Sequence, residues 1–416
     1  MLYDIIIIGG GISGLYSAYN LLKKKPLLKI LILERNNYLG GRIKTFNKKI
    51  NNHHYIWEEG AGRLNDNHTL FIELIDNLNL KNNLSKIGSD ITFYPSKGYK
   101  KDIKFVKKSP FIYINKVIKY SKKDKKEYLQ TFTFKEYVEK VLEKDEIKFI
   151  LDSFGYYAQL IKMNAYNAIH LFNTGMNPSL QFYHLNPGFD TLINELKNEL
   201  KKLNCNIILN SNVLDIRYDT NFKIILDNIC YESKICILAI PKTDLLHFKI
   251  LKSIKPELNS INYKSLCRIY SIFKKKDIWF KDIGKTTTNN NSRYIIPIDK
   301  ENGIIMISYS DSKFADYWNK LHINNEDLLI KKLKDNIYKT FNKKIEDPIF
   351  TKVSYWKCAV GFWKKNIDSR IISKKMIKPI NIPLFICGEN YSETQGWIEG
   401  ALQTSLLVVD KIIKFG

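Results

Sequence analysis

The stretch that most constrains this chain is an apolar run, Ile5 to Ile8, leading straight into Gly9-x-Gly11-x-x-Gly14. Ile12, Leu15, Tyr19 and Leu22 follow at helical spacing, Lys23 to Lys25 sit where they favour a helix C-terminus, and Pro26 stops the helix. A second apolar run, Ile30 to Leu33, ends in Glu34, twenty residues past the last glycine. Strand, glycine turn, helix, strand and acid in this register make the dinucleotide-binding layout. Gly9 allows the tight turn, Gly11 lets a pyrophosphate approach the backbone, and Gly14 lets the helix meet the sheet. The helix start, Ser13 included, offers free N–H groups and positive dipole to phosphate. Glu34 can accept hydrogen bonds from the adenosine ribose hydroxyls, and its charge repels a 2′-phosphate. The competing reading is an ordinary βα turn.

Length and charge narrow the class further. A chain of 416 residues is two or three domains' worth. No apolar run approaches the roughly eighteen residues that span a bilayer. With the motif beginning at Tyr3, no signal peptide is expected and a cytoplasmic protein is. The six cysteines are scattered without a CxxC pair, so neither a disulfide framework nor a metal site is expected. The net charge of +24 raises the question of a polyanion partner, but only seven of the 66 basic residues are arginine. The lysines are spread along the chain and accompany abundant asparagine and isoleucine, which points to coding bias and solvated faces. Neither a specific nucleic acid nor a membrane is expected as a partner.

Two further blocks carry a resemblance. After Glu34 come Arg35-Asn-Asn-Tyr-Leu-Gly40-Gly41-Arg42 and Trp57-Glu58-Glu59-Gly60-Ala61-Gly62-Arg63. Near the far end stands Leu384-Phe-Ile-Cys-Gly388-Glu389-Asn-Tyr-Ser-Glu-Thr-Gln-Gly396-Trp397-Ile398-Glu-Gly400. Together they resemble the flavin-containing amine oxidase family, which includes L-amino-acid and monoamine oxidases. The resemblance implies FAD, held by Gly9, Gly11, Ser13, Gly14, Glu34, Arg35, Gly41, Arg42, Gly60, Ala61, Gly62 and Arg63. Val213, Gly388, Glu389, Gly396, Trp397 and Ile398 complete that set. It also implies hydride transfer from an amine carbon to flavin N5, with O2 reoxidation giving an imine or keto acid, ammonia and hydrogen peroxide.

For the substrate, the resemblance makes Arg63 the arginine that clasps a carboxylate in L-amino-acid oxidases, since a G-A-x-R segment stands there. The competing role is a contact with the flavin or with Glu58 or Glu59. Trp356, Trp363, Tyr391 and Trp397 are the implied aromatic and substrate-facing residues, with ordinary core the alternative for either Trp356 or Trp363. Arg268 stands where the family generally has a lysine, and an arginine cannot act as a base. A polyamine or monoamine oxidase, a protoporphyrinogen-oxidase or desaturase relative, and a non-catalytic flavin-binding scaffold are the alternatives. A small amine or amino acid and O2 are the partners implied, with a homodimer an open alternative to a monomer.

The expected fold class is α/β: a discontinuous, doubly wound FAD-binding domain of Rossmann type with a mixed β-sheet substrate domain and a helical insert. The nucleotide domain is expected from residues 1–88, 186–262 and 381–416, and the substrate part from 89–185 and 263–380. Helices are expected over Thr69 to Leu80, within Phe134 to Ala168, after Gly188, around Glu326 to Phe341 and from Trp397 to Ile413. Short strands are expected at Ile91 to Tyr94, Ile103 to Val106, Ile207 to Leu209, Val213 to Ile216, Lys223 to Leu226, Ile235 to Pro241 and Leu384 to Cys387.

Overall fold

The computed structural model describes residues 2–51, 53–96 and 107–414. The chain forms two compact units, one of residues 1–87, 182–262 and 367–416, the other of residues 88–181 and 263–366. The segment 367–380, expected with the substrate part, belongs to the first unit. It carries the helix Ser369–Ile377, started by Asp368, whose carboxylate accepts from the N–H groups of Arg370 and Ile371. The expected strand Ile103 to Val106 lies outside the described residues.

The first unit is built on a seven-stranded sheet. Its centre is parallel: Leu2–Ile8 lies between Ile30–Leu33 and Cys230–Leu238, with Asn206–Ile208 beyond Ile30–Leu33. These strands are near-continuous apolar runs, buried on both faces from Ile6 to Ile8 and from Ile30 to Leu33. Cys230–Leu238 is long enough to serve two partners along its other edge. Its first half pairs antiparallel with Phe222–Ile225, and its second half pairs parallel with Leu384–Ile386. Phe222–Ile225 in turn pairs with Asp215–Tyr218, which begins two residues later than its sequence suggests and leaves Val213 in the preceding loop. The helix Ile12–Lys24 packs against Asp190–Lys202 and Ile398–Ile413. Leu15, Tyr19, Leu22, Leu196, Leu200, Leu402, Val408 and Val409 form one core there.

The second unit holds a six-stranded sheet in the order Phe350–Trp363, Ile261–Ile272, Ile304–Asp311, Tyr294–Asp299, Thr286–Thr287 and Thr92–Phe93. Two helices, Ser312–Asn324 and Glu326–Phe341, bury Trp318, Leu329, Leu333 and Ile337 against Ile269, Ile305 and Ile307 of that sheet. The region Phe134 to Ala168 breaks into short helices, Phe134–Val138, Lys144–Ser153, Tyr157–Ile161 and Ala165–Thr174. Arg293 stops one of them: its buried guanidinium donates to the carbonyls of Leu151, Asp152 and Phe154, the open end of Lys144–Ser153. Two further helices, Phe111–Ser121 and Lys126–Gln130, precede that region.

Gly155, just beyond that helix end, is a position where only hydrogen fits, because an added Cβ would stand 1.7 Å from the Tyr294 ring. Gly155→Ala is expected to cost about 2 kcal/mol or more through forced repacking. Gly284→Ala, with no atom within 4 Å of the new methyl, is expected to be neutral. Denaturant unfolding of the two variants beside wild type measures both, and equal midpoints for all three would contradict this packing.

Candidate functional site

In the first unit, three loops converge on one place through backbone contacts. Gly9 has φ +110° and an added Cβ there would stand 2.5 Å from the Ala239 carbonyl oxygen. The Gly40 N–H donates to the Gly10 carbonyl at 2.9 Å, and Gly11 and Gly40 form a parallel bridge. The Ala61 N–H donates to the Arg42 carbonyl at 3.0 Å, which brings the Gly60 to Arg63 segment against the same loop. Gly388 lies beside Ser13, whose hydroxyl oxygen would be 3.7 Å from an added Cβ.

At the middle of this arrangement there is room. An added Cβ on Gly11 would find only Gly40 and Gly41 backbone, at 4.0 Å. Gly11 caps the helix Ile12–Lys24 without a side-chain bond, and the first turn holds no acid. An uncapped helix start beside open space is the arrangement that receives a pyrophosphate. Glu34 is 5% exposed and stands beside this turn. One carboxylate oxygen accepts from the Gly10 N–H at 2.7 Å, and the other accepts from the Asn36 N–H and side-chain amide at 2.8 and 2.7 Å. The Ser211 N–H donates to the Glu34 carbonyl at 2.8 Å, which sets the loop holding Val213 beside the acid. Arg35 points elsewhere, pairing with Asp244 at 3.1 Å on an exposed face. These residues fit an FAD dinucleotide.

The acids near the loops are already engaged. Glu389 accepts from Arg42 at 2.8 Å and from the Gly396 N–H at 2.7 Å, so it braces the loops instead of offering a free carboxylate to the ribityl chain. Glu58 accepts from the Phe189 N–H at 2.8 Å at the start of Asp190–Lys202, and from the Thr45 hydroxyl at 3.0 Å. Glu59 pairs with Lys44 at 2.9 Å. Neither meets Arg63. Its guanidinium lies 4.6 Å from the Phe182 ring centre and 5.5 Å from that of Trp397, and no described carboxylate pairs with it.

Arg63 enters a short strand, Leu64–Asn65, whose pairing with Phe182–Leu185 puts Phe182 opposite Asn65. A tight turn then presents His68: the Asn65 N–H donates to Nδ1 at 3.2 Å and the His68 N–H returns to the Asn65 carbonyl at 3.0 Å. His68 leads into the helix Thr69–Asn77, whose Leu70 and Phe71 N–H groups donate to Glu399 at 3.2 and 2.9 Å. Glu399 lies in the first turn of Ile398–Ile413. The Trp397 ring, preceding that helix, therefore comes within 4.6 Å of the His68 ring. Burial draws the imidazole pKa down to about 3, and the Arg63 charge adds to the effect. His68 has no sequence signature, being one histidine before an apolar run.

Two residues expected at the substrate serve the fold. The Tyr391 hydroxyl is buried and donates to the Leu258 carbonyl at 3.0 Å. Trp363, in the second unit, is fully buried, and its carbonyl accepts from the Asn164 N–H at 3.1 Å. Trp356 is partly exposed, and its odd separation from Trp363 puts the two on opposite faces of a regular strand.

Arg268 lies on Ile261–Ile272 with its guanidinium 4.7 Å from the Tyr309 ring centre. Four residues earlier, on the same face, Lys264 is 4% exposed. It stands 4.8 Å from the Tyr156 ring centre and 4.0 Å from the Asp311 carboxylate. Burial pushes the Tyr309 phenol up, but Arg268, a hydrogen bond with Tyr156 and the Lys264 charge hold it below its ordinary range. The sequence reading overlooked Lys264, although an even spacing from Arg268 within an apolar strand was the available signal.

Comparison with known proteins agrees with this fold. The profile of the family described as flavin containing amine oxidoreductase matches residues 12–413. Wild-type putrescine oxidase bound to putrescine superposes with a TM-score of 0.78 at 15% identity, covering 100% of this chain and 99% of that one. A putative protoporphyrinogen oxidase from Exiguobacterium superposes with a TM-score of 0.74 at 15% identity, with the same coverages. Over 42 residues, 10% of this chain and 8% of the other, it is 50% identical to an uncharacterized protein of Acanthamoeba polyphaga mimivirus. Over 60 residues, 14% of this chain and 15% of the other, it is 38% identical to the sarcosine oxidase beta subunit of an Arthrobacter species. The matched stretches thus span at most 15% of the length of these curated relatives. No described helix is long and apolar enough to cross a membrane, and no described group of His, Cys, Asp and Glu could hold a metal ion.

Gly11→Val is expected to leave the fold intact, since the side chain enters open space, and to abolish FAD binding. Circular dichroism and flavin absorbance after incubation with FAD check both halves, and a yellow variant would contradict the placement. His68 gives a pH signature. Its pKa is lower in the folded chain than the ordinary value of about 6.5, so between about 6.5 and 3 the unfolded chain binds the extra proton. Stability is fully present above that window and falls by up to ~1.4 kcal/mol per pH unit as pH drops through it. His68→Gln is expected to show a flatter slope in urea unfolding at pH 7, 6 and 5, whereas identical slopes would mean that the imidazole protonates freely in the fold.

Proposed function

The chain belongs to the flavin-containing amine oxidoreductase family, an FAD-dependent class of enzyme, and from that premise we propose that it oxidises an amine bearing a carboxylate, an L-α-amino acid. The observation that carries the acid is Arg63. A guanidinium flanked by two aromatic rings, with both nearby glutamates engaged elsewhere, is suited to an incoming carboxylate. The planar fork can hold both oxygens, fixing orientation as well as charge. A diamine offers nothing to this group. Likeness to putrescine oxidase at 15% identity speaks for the fold alone.

The chain's own residues have separable tasks in this reading. The glycine turn and the open start of Ile12–Lys24 hold the pyrophosphate, and Glu34 holds the ribose. Arg42, fixed by Glu389, keeps the Gly40–Gly41 loop over that site. Arg63 fixes the substrate by its acid group, so that the amine-bearing carbon has one orientation. The start of Ile398–Ile413 supplies N–H groups and dipole where negative charge develops. When bound, FAD supplies the hydride acceptor and passes the electrons to O2, with peroxide, ammonia and a keto acid as the released products.

Arg63→Ala removes a charge-assisted contact worth roughly 1.5–3 kcal/mol. For an amino acid, kcat/KM is expected to fall by about ten- to over a hundredfold. The same amine lacking its carboxylate is expected to be a poor substrate of wild type and to lose little more in the variant, a cycle with one change on each partner. Arg63→Lys is expected to recover only part of the loss. A peroxide-coupled assay reads all of these, and equal losses for the acid and its carboxylate-free analogue would reassign Arg63 to the flavin or the fold.

A further inference from the structure

The chain's positive charge has one dense stretch. Residues 107–128 hold eight lysines against two acids, a net of +6 in 22 residues, where the whole chain reaches +24 in 416. In the second unit this stretch forms the helix Phe111–Ser121, a turn, and the short helix Lys126–Gln130. Phe111, Ile114, Val117, Ile118 and Ser121 are buried, so one face of the first helix is committed to the core. At about 100° per residue, Ile112, Lys116, Lys119 and Tyr120 share the opposite face. All four are exposed, as are Lys122, Lys123 and Lys125 in the turn that follows. The acids close by are engaged. Glu146 pairs with Lys116 at 3.1 Å, and Asp124 accepts from the Tyr137 hydroxyl at 2.6 Å. On the neighbouring helix Phe134–Val138 and its end, Glu136 pairs with Lys365 and Glu139 with Lys135. Only Glu127, exposed in the first turn of Lys126–Gln130, adds an unpaired negative charge among the described residues. No described carboxylate pairs with Lys119, Lys122, Lys123 or Lys125.

We propose that this face docks the protein on an anionic lipid surface, its lysines meeting the headgroups while Ile112 and Tyr120 enter between them. Clusters of four to eight lysines on one helix surface are what such adsorption requires, because each adds a modest attraction that is lost within a Debye length. Ile112 is 52% exposed beside Lys116, a placement that water disfavours and a headgroup layer rewards. Tyr120 suits the same layer, with an apolar ring and a polar tip. A nucleic acid is the other large polyanion that lysines attract, and the face is poorly made for one. There is no arginine between Arg63 and Arg217, so the planar fork that reads base edges is missing. The Tyr120 ring is covered by the Lys123 ammonium, 3.6 Å from its centre, which occupies a face that a base would stack on. An isoleucine has no task on a phosphate backbone. None of these residues belongs to the dinucleotide site, so this inference and the amino-acid reading stand or fall separately.

The test uses the full chain loaded with FAD and vesicles of phosphatidylcholine, with and without about one-third phosphatidylserine, read by co-sedimentation at low salt. Wild type is expected to bind the mixed vesicles, to leave the neutral ones in solution, and to be released by added salt. Combining Lys119→Gln, Lys122→Gln, Lys123→Gln and Lys125→Gln is expected to weaken binding on the order of a hundredfold. The same exchange at Lys274, Lys275, Lys276 and Lys281, exposed lysines of the same unit, removes equal charge and is expected to cost less than about threefold. Ile112→Ser is expected to weaken vesicle binding about tenfold. Hydrogen exchange of wild type is expected to slow over residues 111–128 and not over 274–281 when mixed vesicles are added. That measurement locates the contact if a multiple variant does not fold. Binding to neither vesicle, equal binding to both, or equal losses in the two lysine sets overturns the proposal. Tighter binding of wild type to single-stranded DNA than to the mixed vesicles, with Ile112→Ser unchanged, gives the face to nucleic acid and overturns the lipid partner.

Discussion

Backbone against backbone, with no side chain between, is the contact on which the first unit depends. A Cβ on Gly14 would stand 2.0 Å from the Gly9 carbonyl oxygen, and one on Gly60 would stand 2.0 Å from the Arg42 carbonyl oxygen. These are not clashes that a flexible neighbour can absorb, because each opposing atom is main chain. The helix Ile12–Lys24 reaches its place on the strand Leu2–Ile8 only because hydrogen stands at Gly14. The Gly40–Gly41 loop then follows the glycine turn, and the segment ending in Arg63 follows the loop. The site is a stack of main-chain surfaces, and its side chains are added at the rim.

A second regularity governs the charges. Four buried acids of the first unit are turned toward main-chain N–H groups: Glu34 to Gly10 and Asn36, Glu58 to Phe189, Glu389 to Gly396, Glu399 to Leu70 and Phe71. In the second unit Asp311 does the same for Tyr157 and Ala158. Carboxylates satisfied by N–H groups hold loops and helix starts in register. Their engagement is also what leaves Arg63 without an acid of its own. The recognition proposed for Arg63 thus rests on how the fold satisfies its glutamates.

The sequence was most legible where a pattern has one physical meaning. The glycine spacing, the apolar runs and the acid at position 34 led directly to the parallel sheet and its open turn, and the final helix begins one residue from where it was expected. Arg42 and Arg63 lie in the predicted loops, but Arg293, which the pattern passed over, makes the fullest use of a guanidinium fork, on carbonyls at a helix end. Tyr391 and Trp363 were misplaced because an aromatic residue reads alike whether it lines a cleft or fills a core. His68 and Lys264 were missed for a related reason: their neighbours, Trp397 for the one and Tyr156 and Asp311 for the other, lie far along the chain.

The last strand and helix have a consequence for how the protein is made. Leu384–Ile386 completes the edge of Cys230–Leu238, and Leu402, Val408 and Val409 fill the core that Leu15 and Leu22 open. During synthesis residues 2–80 therefore emerge with their apolar faces unmatched, and their partners, residues 384–413, leave the ribosome only after the whole intervening chain. The nascent chain carries an incomplete sheet edge and an uncovered helix throughout that interval, the state in which chaperone binding competes with aggregation. A chain interrupted anywhere before Ile398 lacks the wedge that closes this core, so partial products are substrates for proteolysis and cannot be smaller working versions of the protein.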